Sequence, residues 1–301
     1  MTSKFNPKPT VQKHQVWRSR WMLIAALLGL FLLAGLLLFS RTNLRGSDPN
    51  TRAIARMQTR DFHSLMFSGK STDTVFYGHH NGLMISTDQG STWQPTQLQN
   101  ADAMGLGTSS ANPSRMYAAG HDVFVRSDDG GQSWYEPGGQ LKNVDIHVFA
   151  NTPADANRIY LLIAGQGLFT SADGGLTIQR MQAPPGDVLS LAASGTSTVF
   201  VGTGQNGVYQ SVDGGRSWLN YADGLPRVAV TGLALDAQGN LYAATNNGMY
   251  RRTAGANWMP LPLNKSLVAV AASPLVDGLI LGLSDKGEIF RSRNGGQSWD
   301  G

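Results

Sequence analysis

The sequence contains no cysteine and only two glutamates, Glu136 and Glu288, among its 301 residues. The absence of cysteine excludes a disulfide scaffold, a cysteine-ligated zinc site, a thiol nucleophile and a lipid anchor attached to cysteine. Charged residues make up only 15% of the chain, whereas 36 residues are glycine. This composition is too apolar for a disordered chain and too rich in glycine for a helical bundle.

Positive charge is concentrated at the amino terminus. Residues 1–50 contain seven Lys or Arg and one acidic residue, a net charge of +6, whereas residues 51–301 contain 17 basic and 19 acidic groups, a net charge of −2. The basic character of the chain therefore belongs to its tail. It does not predict that the folded part binds nucleic acid.

One long apolar segment, WMLIAALLGLFLLAGLLLF, covers residues 21–39 without a charge. As a helix it would be roughly 28 Å long, close to the thickness of the hydrocarbon core. The alternative is a cleaved signal peptide, but the run is longer than such a segment and no Ala-x-Ala-like site follows it. The positive-inside rule then predicts a cytoplasmic tail (1–20), a transmembrane helix (21–39) and an exported domain, periplasmic or extracellular. Residues 40–57 are expected to form a linker and a possible ring-closing strand, and residues 58–301 the folded domain.

An eight-residue motif of the form Ser-x-Asp-x-Gly-x-Thr-Trp occurs in three full and three partial copies, the third with Ile178 in the Trp position. Its last positions are residues 93, 134, 178, 218, 258 and 299, which are 41, 44, 40, 40 and 41 residues apart. Asp and Ser side chains hydrogen-bond to the backbone of tight turns, and the Trp can bury its ring beneath the hairpin. The motif residues that we expect to be structural are Asp88, Trp93, Asp129, Trp134, Asp173, Asp213, Trp218, Asn294 and Trp299. The fifth copy keeps only Gly255 and Trp258, so Trp258 should matter less for stability than Trp134 if that hairpin packs loosely.

Short segments rich in β-branched and aromatic residues precede each motif. In the first repeat they are residues 63–67, 74–78 and 82–86. Four strands in about 40 residues are typical of a β-propeller blade, whereas a parallel β-helix has a shorter repeat. The sequence therefore predicts an all-β, six-bladed β-propeller. Residues 51–58 are expected to pair with the last repeat and close the ring.

The recurring motif resembles the BNR or Asp-box repeats of sialidases, sortilin-type receptors, photosystem II assembly factors and many exported bacterial proteins. The resemblance covers the six repeats, residues 59–301. It implies a propeller fold but no particular activity, because enzymes and non-enzymes share the box. The Phe-Arg-Ile-Pro-type motif of sialidases is absent from this sequence.

Aligning the repeats places five of the six histidines on one face of the predicted propeller, which we call the upper face. It is formed by the starts of the innermost strands, preceded by aspartates at positions 61, 102, 145 and 187, and by the loops between the second and third strands. Imidazole beside carboxylate suits a transition metal. The metal-ligand candidates are His63, His121, His147, Asp61 and Asp145, and the candidates for binding another polar ligand are His79, His80 and Asp122. The alternative is that these side chains only cap loops around the channel.

The sequence favours a binding or assembly module whose partner is a membrane complex, another envelope protein or an envelope glycan. The alternative is a glycoside hydrolase-like or metal-dependent enzyme that uses the upper face. No catalytic residue is predicted, because the chain contains neither a Ser-His-Asp elbow nor a phosphate-binding loop.

Overall fold

The computed structural model describes residues 51–59 and 61–300. The predicted cytoplasmic tail (1–20), the predicted transmembrane helix (21–39) and linker residues 40–50 lie outside these ranges. Among the residues that are described, no helix has the length and apolar character needed to cross a membrane. The helical element described there is a short 3-10 turn, Gly139–Leu141.

The described residues form 23 β-strands. In chain order, the strands are β1 (Ala55–Arg56), β2 (Ser64–Phe67), β3 (Val75–His79), β4 (Gly82–Ser86), β5 (Gln94–Gln99), β6 (Gly105–Ser109), β7 (Asn112–Gly120), β8 (Val123–Ser127), β9 (Ile146–Thr152), β10 (Asp155–Ile163), β11 (Gly167–Ser171), β12 (Gln179–Arg180), β13 (Val188–Ser194), β14 (Thr198–Thr203), β15 (Val208–Ser211), β16 (Leu219–Asn220), β17 (Val230–Leu235), β18 (Leu241–Thr245), β19 (Gly248–Arg252), β20 (Met259–Pro260), β21 (Leu267–Ala272), β22 (Ile280–Ser284) and β23 (Glu288–Ser292).

These strands form six antiparallel sheets, which are the blades of a propeller. Blades 1 to 5 begin with β2, β6, β9, β13 and β17, and each continues outwards in chain order. Blade 2 has three strands, and an isolated bridge between Arg126 and Tyr135 extends its edge. Each innermost strand contacts the innermost strand of the next blade, and β21 of blade 6 contacts β2 of blade 1. The prediction of an all-β, six-bladed β-propeller is confirmed.

The ring is closed by pairing between the two ends of the described chain. Blade 6 has the order β21, β22, β23 and then β1, so its outermost strand comes from residues that precede blade 1. Ala55 is paired with Ile289, and the amides of Ile54 and Met57 donate hydrogen bonds of 2.8 Å to backbone carbonyls of the last blade. This pairing joins the first and the last blade without a long loop.

The hydrophobic core lies between the blades. Six buried clusters each combine side chains of two adjacent blades, including one cluster that joins blade 6 to blade 1. Between blades 2 and 3, for example, Tyr117 and Phe124 pack against Phe149. Because each sheet is covered on both faces by its neighbours, every blade depends on the two beside it.

Polar turns join the third and fourth strands at the lower edge of the blades, opposite the upper face. In blade 3, the Ser171 hydroxyl donates to Asp173 Oδ1 at 2.7 Å, and the backbone amide and hydroxyl of Thr177 donate to the same carboxylate at 2.9 and 2.6 Å. The hydrogen bonds from Thr177 and Ser171 lower the pKa of Asp173 to about 2, against a smaller opposing effect of burial. Asp88, Asp129, Asp213 and Asn294 accept equivalent hydrogen bonds in their own turns.

The expectation for Trp258 is wrong. Its side chain is only 1% exposed and belongs to the cluster between blades 4 and 5, whereas Trp134 is half-buried. The indole of Trp258 donates a 2.7 Å hydrogen bond to the Tyr221 carbonyl. The guanidinium of Arg252 lies 3.6 Å from the centre of the Tyr221 ring. The fifth hairpin has therefore lost its polar turn but has gained a deeper aromatic anchor.

Candidate functional site

The six innermost strands surround a central channel with a volume of about 360 Å³. One residue at the start of each innermost strand lines the upper end of the channel. We call these six residues the rim residues. They are His63, Met104, His147, Leu189, Thr231 and Val268.

The rim residues of blades 3 to 6 are the extra residues of β-bulges. The pairing register of the innermost strand shifts at His147, Leu189, Thr231 and Val268. A bulge leaves one residue outside the ladder and redirects its side chain. The rim is divided: blades 1 to 3 contribute two histidines with Met104 between them, and blades 4 to 6 contribute Leu189, Thr231 and Val268.

Asp102 lies at the junction of blades 1 and 2, where the backbone segments approach unusually closely. A Cβ atom on Gly120 would lie 1.7 Å from the Asp102 carbonyl oxygen, and one on Gly78 would lie 2.2 Å from the Ala103 carbonyl oxygen. Only glycine permits both approaches. These contacts fix the Asp102 carboxylate beside the upper loops that follow β3 and β7.

Three imidazoles surround the carboxylate of Asp102, which is only 7% exposed. His63 Nε2 lies 3.3 Å from Oδ1, and His80 Nδ1 lies 3.3 Å from Oδ2. His121 Nδ1 is hydrogen-bonded to Oδ2 at 2.5 Å. Asp102 therefore connects side chains from two blades.

A second carboxylate extends this cluster towards blade 3. Asp145 Oδ1 lies 3.3 Å from His121 Nε2 and 3.1 Å from His147 Nε2. His121 thus contacts both Asp102 and Asp145 through its two ring nitrogens. Two groups of three residues have candidate ligand atoms within 4.8 Å of one another. The groups are His63, His80 and Asp102, and His121, Asp145 and His147.

Burial governs the protonation of two of the upper-face histidines. It lowers the pKa of His63 below the ordinary value of 6.5, although the Asp102 carboxylate acts in the opposite direction. Burial also lowers the pKa of His79, and the neighbouring imidazoles of His63 and His80 lower it further. Both rings are therefore predominantly neutral at pH 7, which leaves a nitrogen lone pair available.

The structure brings together five of the eight candidate residues, joins them with Asp102, and leaves three apart. Among the described residues, neither three-residue group includes Asp61, Asp122 or His79. The carboxylates of Asp61 and Asp122 belong to exposed residues, and Asp122 is in a left-handed turn conformation with φ 56°. His79 stacks on Tyr77 with ring centres 5.5 Å apart.

Asp102 is the residue that the candidate set omitted. It occupies the position of its repeat that matches Asp61 and Asp145, so the alignment contained a signal for it. Its importance depends on the close approach of Gly120, which brings the carboxylate to the loop of the next strand pair. A tertiary contact of this kind cannot be predicted from the sequence of a single repeat.

Comparison with known proteins identifies other β-propellers. No family model matches the chain. A curated xyloglucanase from Paenibacillus sp. is 26% identical over 283 residues, which covers 69% of this chain and 27% of the enzyme. The photosystem II assembly lipoprotein Ycf48 of a Synechococcus strain is 31% identical over 140 residues, which covers 44% of this chain and 41% of the relative. The chain thus spans less than half the length of either curated relative.

A solved structure described as YCF48 bound to D1 peptide matches with a TM-score of 0.54 and 16% identity. The match covers 85% of this chain and 86% of the solved chain. A likeness at this identity concerns the fold. This chain is therefore similar, as a β-propeller, both to a glycoside hydrolase and to a photosystem assembly factor.

Proposed function

We propose that the propeller is a protein-binding module that takes part in assembly, and that it binds a partner segment at the rim of the central channel. The observation that carries this proposal is the divided rim. It offers His63 and His147, with Met104 between them, on one side and the mainly apolar set of Leu189, Thr231 and Val268 on the other. A partner segment with one polar and one apolar side complements such a surface. The channel volume of about 360 Å³ falls within the range of about 300–1,000 Å³ that is usual for ligand pockets.

The comparisons support a binding role over most of the propeller. YCF48 is solved with a D1 peptide, and the match to it covers 85% of this chain and 86% of that one. Its curated relative from Synechococcus is named a photosystem II assembly lipoprotein. By analogy, the partner of this chain is an extended segment of another protein.

Leucines at two places in blade 4 allow a matched test. Leu189 lies on the rim and is 39% exposed, whereas Leu219 lies in the outermost strand and is 62% exposed. A photo-crosslinking amino acid placed at residue 189 should trap a partner in the native membrane or envelope fraction, and one at residue 219 should not. Leu189→Asp should abolish co-purification of that partner, while Leu219→Asp should leave it intact. Equal trapping at both positions, or retention by the Leu189→Asp variant, would contradict binding at the rim.

A second candidate function is glycoside hydrolysis, favoured by the 26% identity to a xyloglucanase. Glycosidases use paired carboxylates, and the upper face presents Asp102 and Asp145. Incubation of the native protein with xyloglucan and related envelope glycans tests this function. Release of reducing sugar that disappears in Asp102→Asn and Asp145→Asn would favour the enzyme. Unchanged glycans would leave the binding proposal as the better account.

The proposal also includes a membrane anchor. The 19 uncharged residues 21–39 follow a tail with five basic and no acidic residues. This arrangement supports a single-pass protein of the cytoplasmic membrane with its propeller outside the cytoplasm. The native chain should sediment with membranes after a carbonate wash, and a variant without residues 21–39 should not. Recovery of the native chain in the soluble fraction would count against the anchor.

A further inference from the structure

The buried carboxylate of Asp102 is incompletely compensated. Asp102 is only 7% exposed, yet its Oδ1 atom accepts no hydrogen bond among the described residues. His63 Nε2 also has no hydrogen-bond partner there, although it lies 3.3 Å from Oδ1. Burying a carboxylate is unfavourable unless it is paired or bound to a metal. Two buried polar atoms without hydrogen-bond partners therefore lie 3.3 Å apart in the same small space.

The distances fit metal ligands better than hydrogen bonds. An N–H···O hydrogen bond is usually about 2.9 Å long, and His63 Nε2 and His80 Nδ1 each lie 3.3 Å from an oxygen of Asp102. When ligands lie about 2.0–2.1 Å from a tetrahedral zinc ion, the ligand atoms are about 3.3–3.4 Å apart. Both separations therefore match those between two ligands of a zinc ion, and one candidate ligand atom from each of the three residues lies within 4.8 Å of the others.

His121 supplies the supporting contact that such a site needs. Its Nδ1 atom is hydrogen-bonded to Asp102 Oδ2 at 2.5 Å. Contacts of this kind between the ligands and their neighbours orient the ligands of metal sites. The close packing of Gly120 against the Asp102 backbone holds the same carboxylate from the other side.

We propose that His63 Nε2, His80 Nδ1 and the Asp102 carboxylate bind one divalent transition-metal ion, with zinc the best match. Two imidazoles and one carboxylate suit zinc and exclude a dedicated calcium or magnesium site, which uses oxygen ligands. Three protein ligands leave a fourth position for water or for a ligand. His80 is 60% exposed, so this position is accessible from solvent. The inference concerns the site alone and does not rest on the proposed protein-binding function.

The neighbouring group of His121, Asp145 and His147 has the same types of ligand but is more open. Its three side chains are 48%, 43% and 41% exposed, compared with 20% for His63 and 7% for Asp102. Asp145 Oδ1, like Asp102 Oδ1, is buried without a hydrogen-bond partner among the described residues. The proposal places the ion at Asp102 because water competes more effectively for an ion in the more exposed group.

The test measures zinc binding by the purified full-length chain after treatment with a chelator. Calorimetric titration with zinc, and zinc counted per chain after gel filtration, should show one tightly bound ion. His63→Ala and Asp102→Asn should each weaken that site by at least about tenfold. His79→Ala is the matched control, because His79 is the last residue of β3, directly before His80, and lies outside both groups; it should bind as the native chain does. His147→Ala should also retain the tight ion.

Thermal melts keep the test independent of folding defects. Zinc should raise the melting temperature of the native chain in proportion to the logarithm of its concentration, and this rise should vanish in His63→Ala. The proposal is overturned if the native chain binds no tight zinc or if His63→Ala binds it as the native chain does. It is also overturned if His147→Ala abolishes the tight site while His63→Ala keeps it.

Discussion

Replacing Gly120 with alanine is the sharpest test of how the fold builds the upper-face cluster. The added Cβ atom would lie 1.7 Å from the Asp102 carbonyl oxygen and 2.8 Å from its carbonyl carbon. An ordinary carbon–oxygen contact is about 3.3–3.6 Å, so the Asp102 backbone would have to move by more than about 1.5 Å. Backbone atoms wedged between two blades cannot make such a shift cheaply. We expect Gly120→Ala to lower the free energy of unfolding by about 1–3 kcal/mol, as overpacked positions do.

The same substitution should disturb the cluster, because it moves Asp102 away from the imidazole that it contacts. Urea denaturation gives the loss of stability, and two-dimensional ¹H–¹⁵N spectra of the histidine rings report the His121 Nδ1 hydrogen bond. Gly204→Ala is the matched control, since the nearest atom to its Cβ would be Leu189 Cδ1 at 3.9 Å. The control should keep or gain stability, by up to about 1 kcal/mol. If Gly120→Ala is as stable as the control and leaves the His121 ring signals unchanged, the reasoning about the glycine junction is refuted.

Three further predictions concern stability. Trp258→Ala should lower the free energy of unfolding by about 3–5 kcal/mol, because Trp258 is only 1% exposed. Trp134→Ala should lower it clearly less. A lower urea midpoint for Trp134→Ala than for Trp258→Ala would contradict this order. Hydrogen bonds lower the pKa of Asp173 to about 2, below the value of about 3.9 in an unfolded chain. The ionised Asp173 carboxylate therefore stabilises the fold above about pH 4, and this stabilisation is lost as the pH falls towards 2. Between about pH 4 and pH 2 the melting temperature should fall less in Asp173→Asn than in the native chain. Equal falls in the two proteins would contradict this prediction. Ile54→Pro removes the 2.8 Å hydrogen bond to the Ile289 carbonyl and should lower the free energy of unfolding by about 1–3 kcal/mol. A melting curve identical to that of the native chain would show that the pairing of β1 with blade 6 does not stabilise the propeller.

The repeats predict the fold well because their information is local. Ser171, Asp173 and Thr177 form a turn whose hydrogen bonds all lie within seven residues, so the motif specifies its own geometry. Regular spacing then fixes the number of blades. The fifth hairpin shows the limit of this reasoning, since Trp258 is anchored by the Tyr221 carbonyl from the preceding blade. The loss of motif residues in the fifth repeat therefore does not predict whether its Trp is hydrogen-bonded to a neighbouring blade.

The candidate site was only partly predictable. The alignment placed His63, His121, His147 and Asp145 on one face, and the structure brings their side chains into two adjoining groups. The alignment could not show which of the aspartates that precede the innermost strands belongs to the site, because they occupy equivalent positions in the repeat. Asp102 differs from Asp61 in having two glycine-lined strand ends beside it, at Gly78 and Gly120. Burial of one carboxylate and exposure of the other are consequences of that packing.

The architecture explains why the rim can differ so much among blades that are otherwise alike. Stability comes from the clusters between sheets, to which every blade contributes, and from the polar turns at the lower edge of five of the six blades. The rim residues at bulges lie outside the hydrogen-bonded ladder, so their identity is not constrained by strand pairing. One scaffold position can therefore hold histidine in blade 3 and leucine in blade 4 without cost to the fold. The side chains of such a surface can change without loss of the fold, and in this propeller all five histidines of the described residues lie on the upper face of blades 1 to 3.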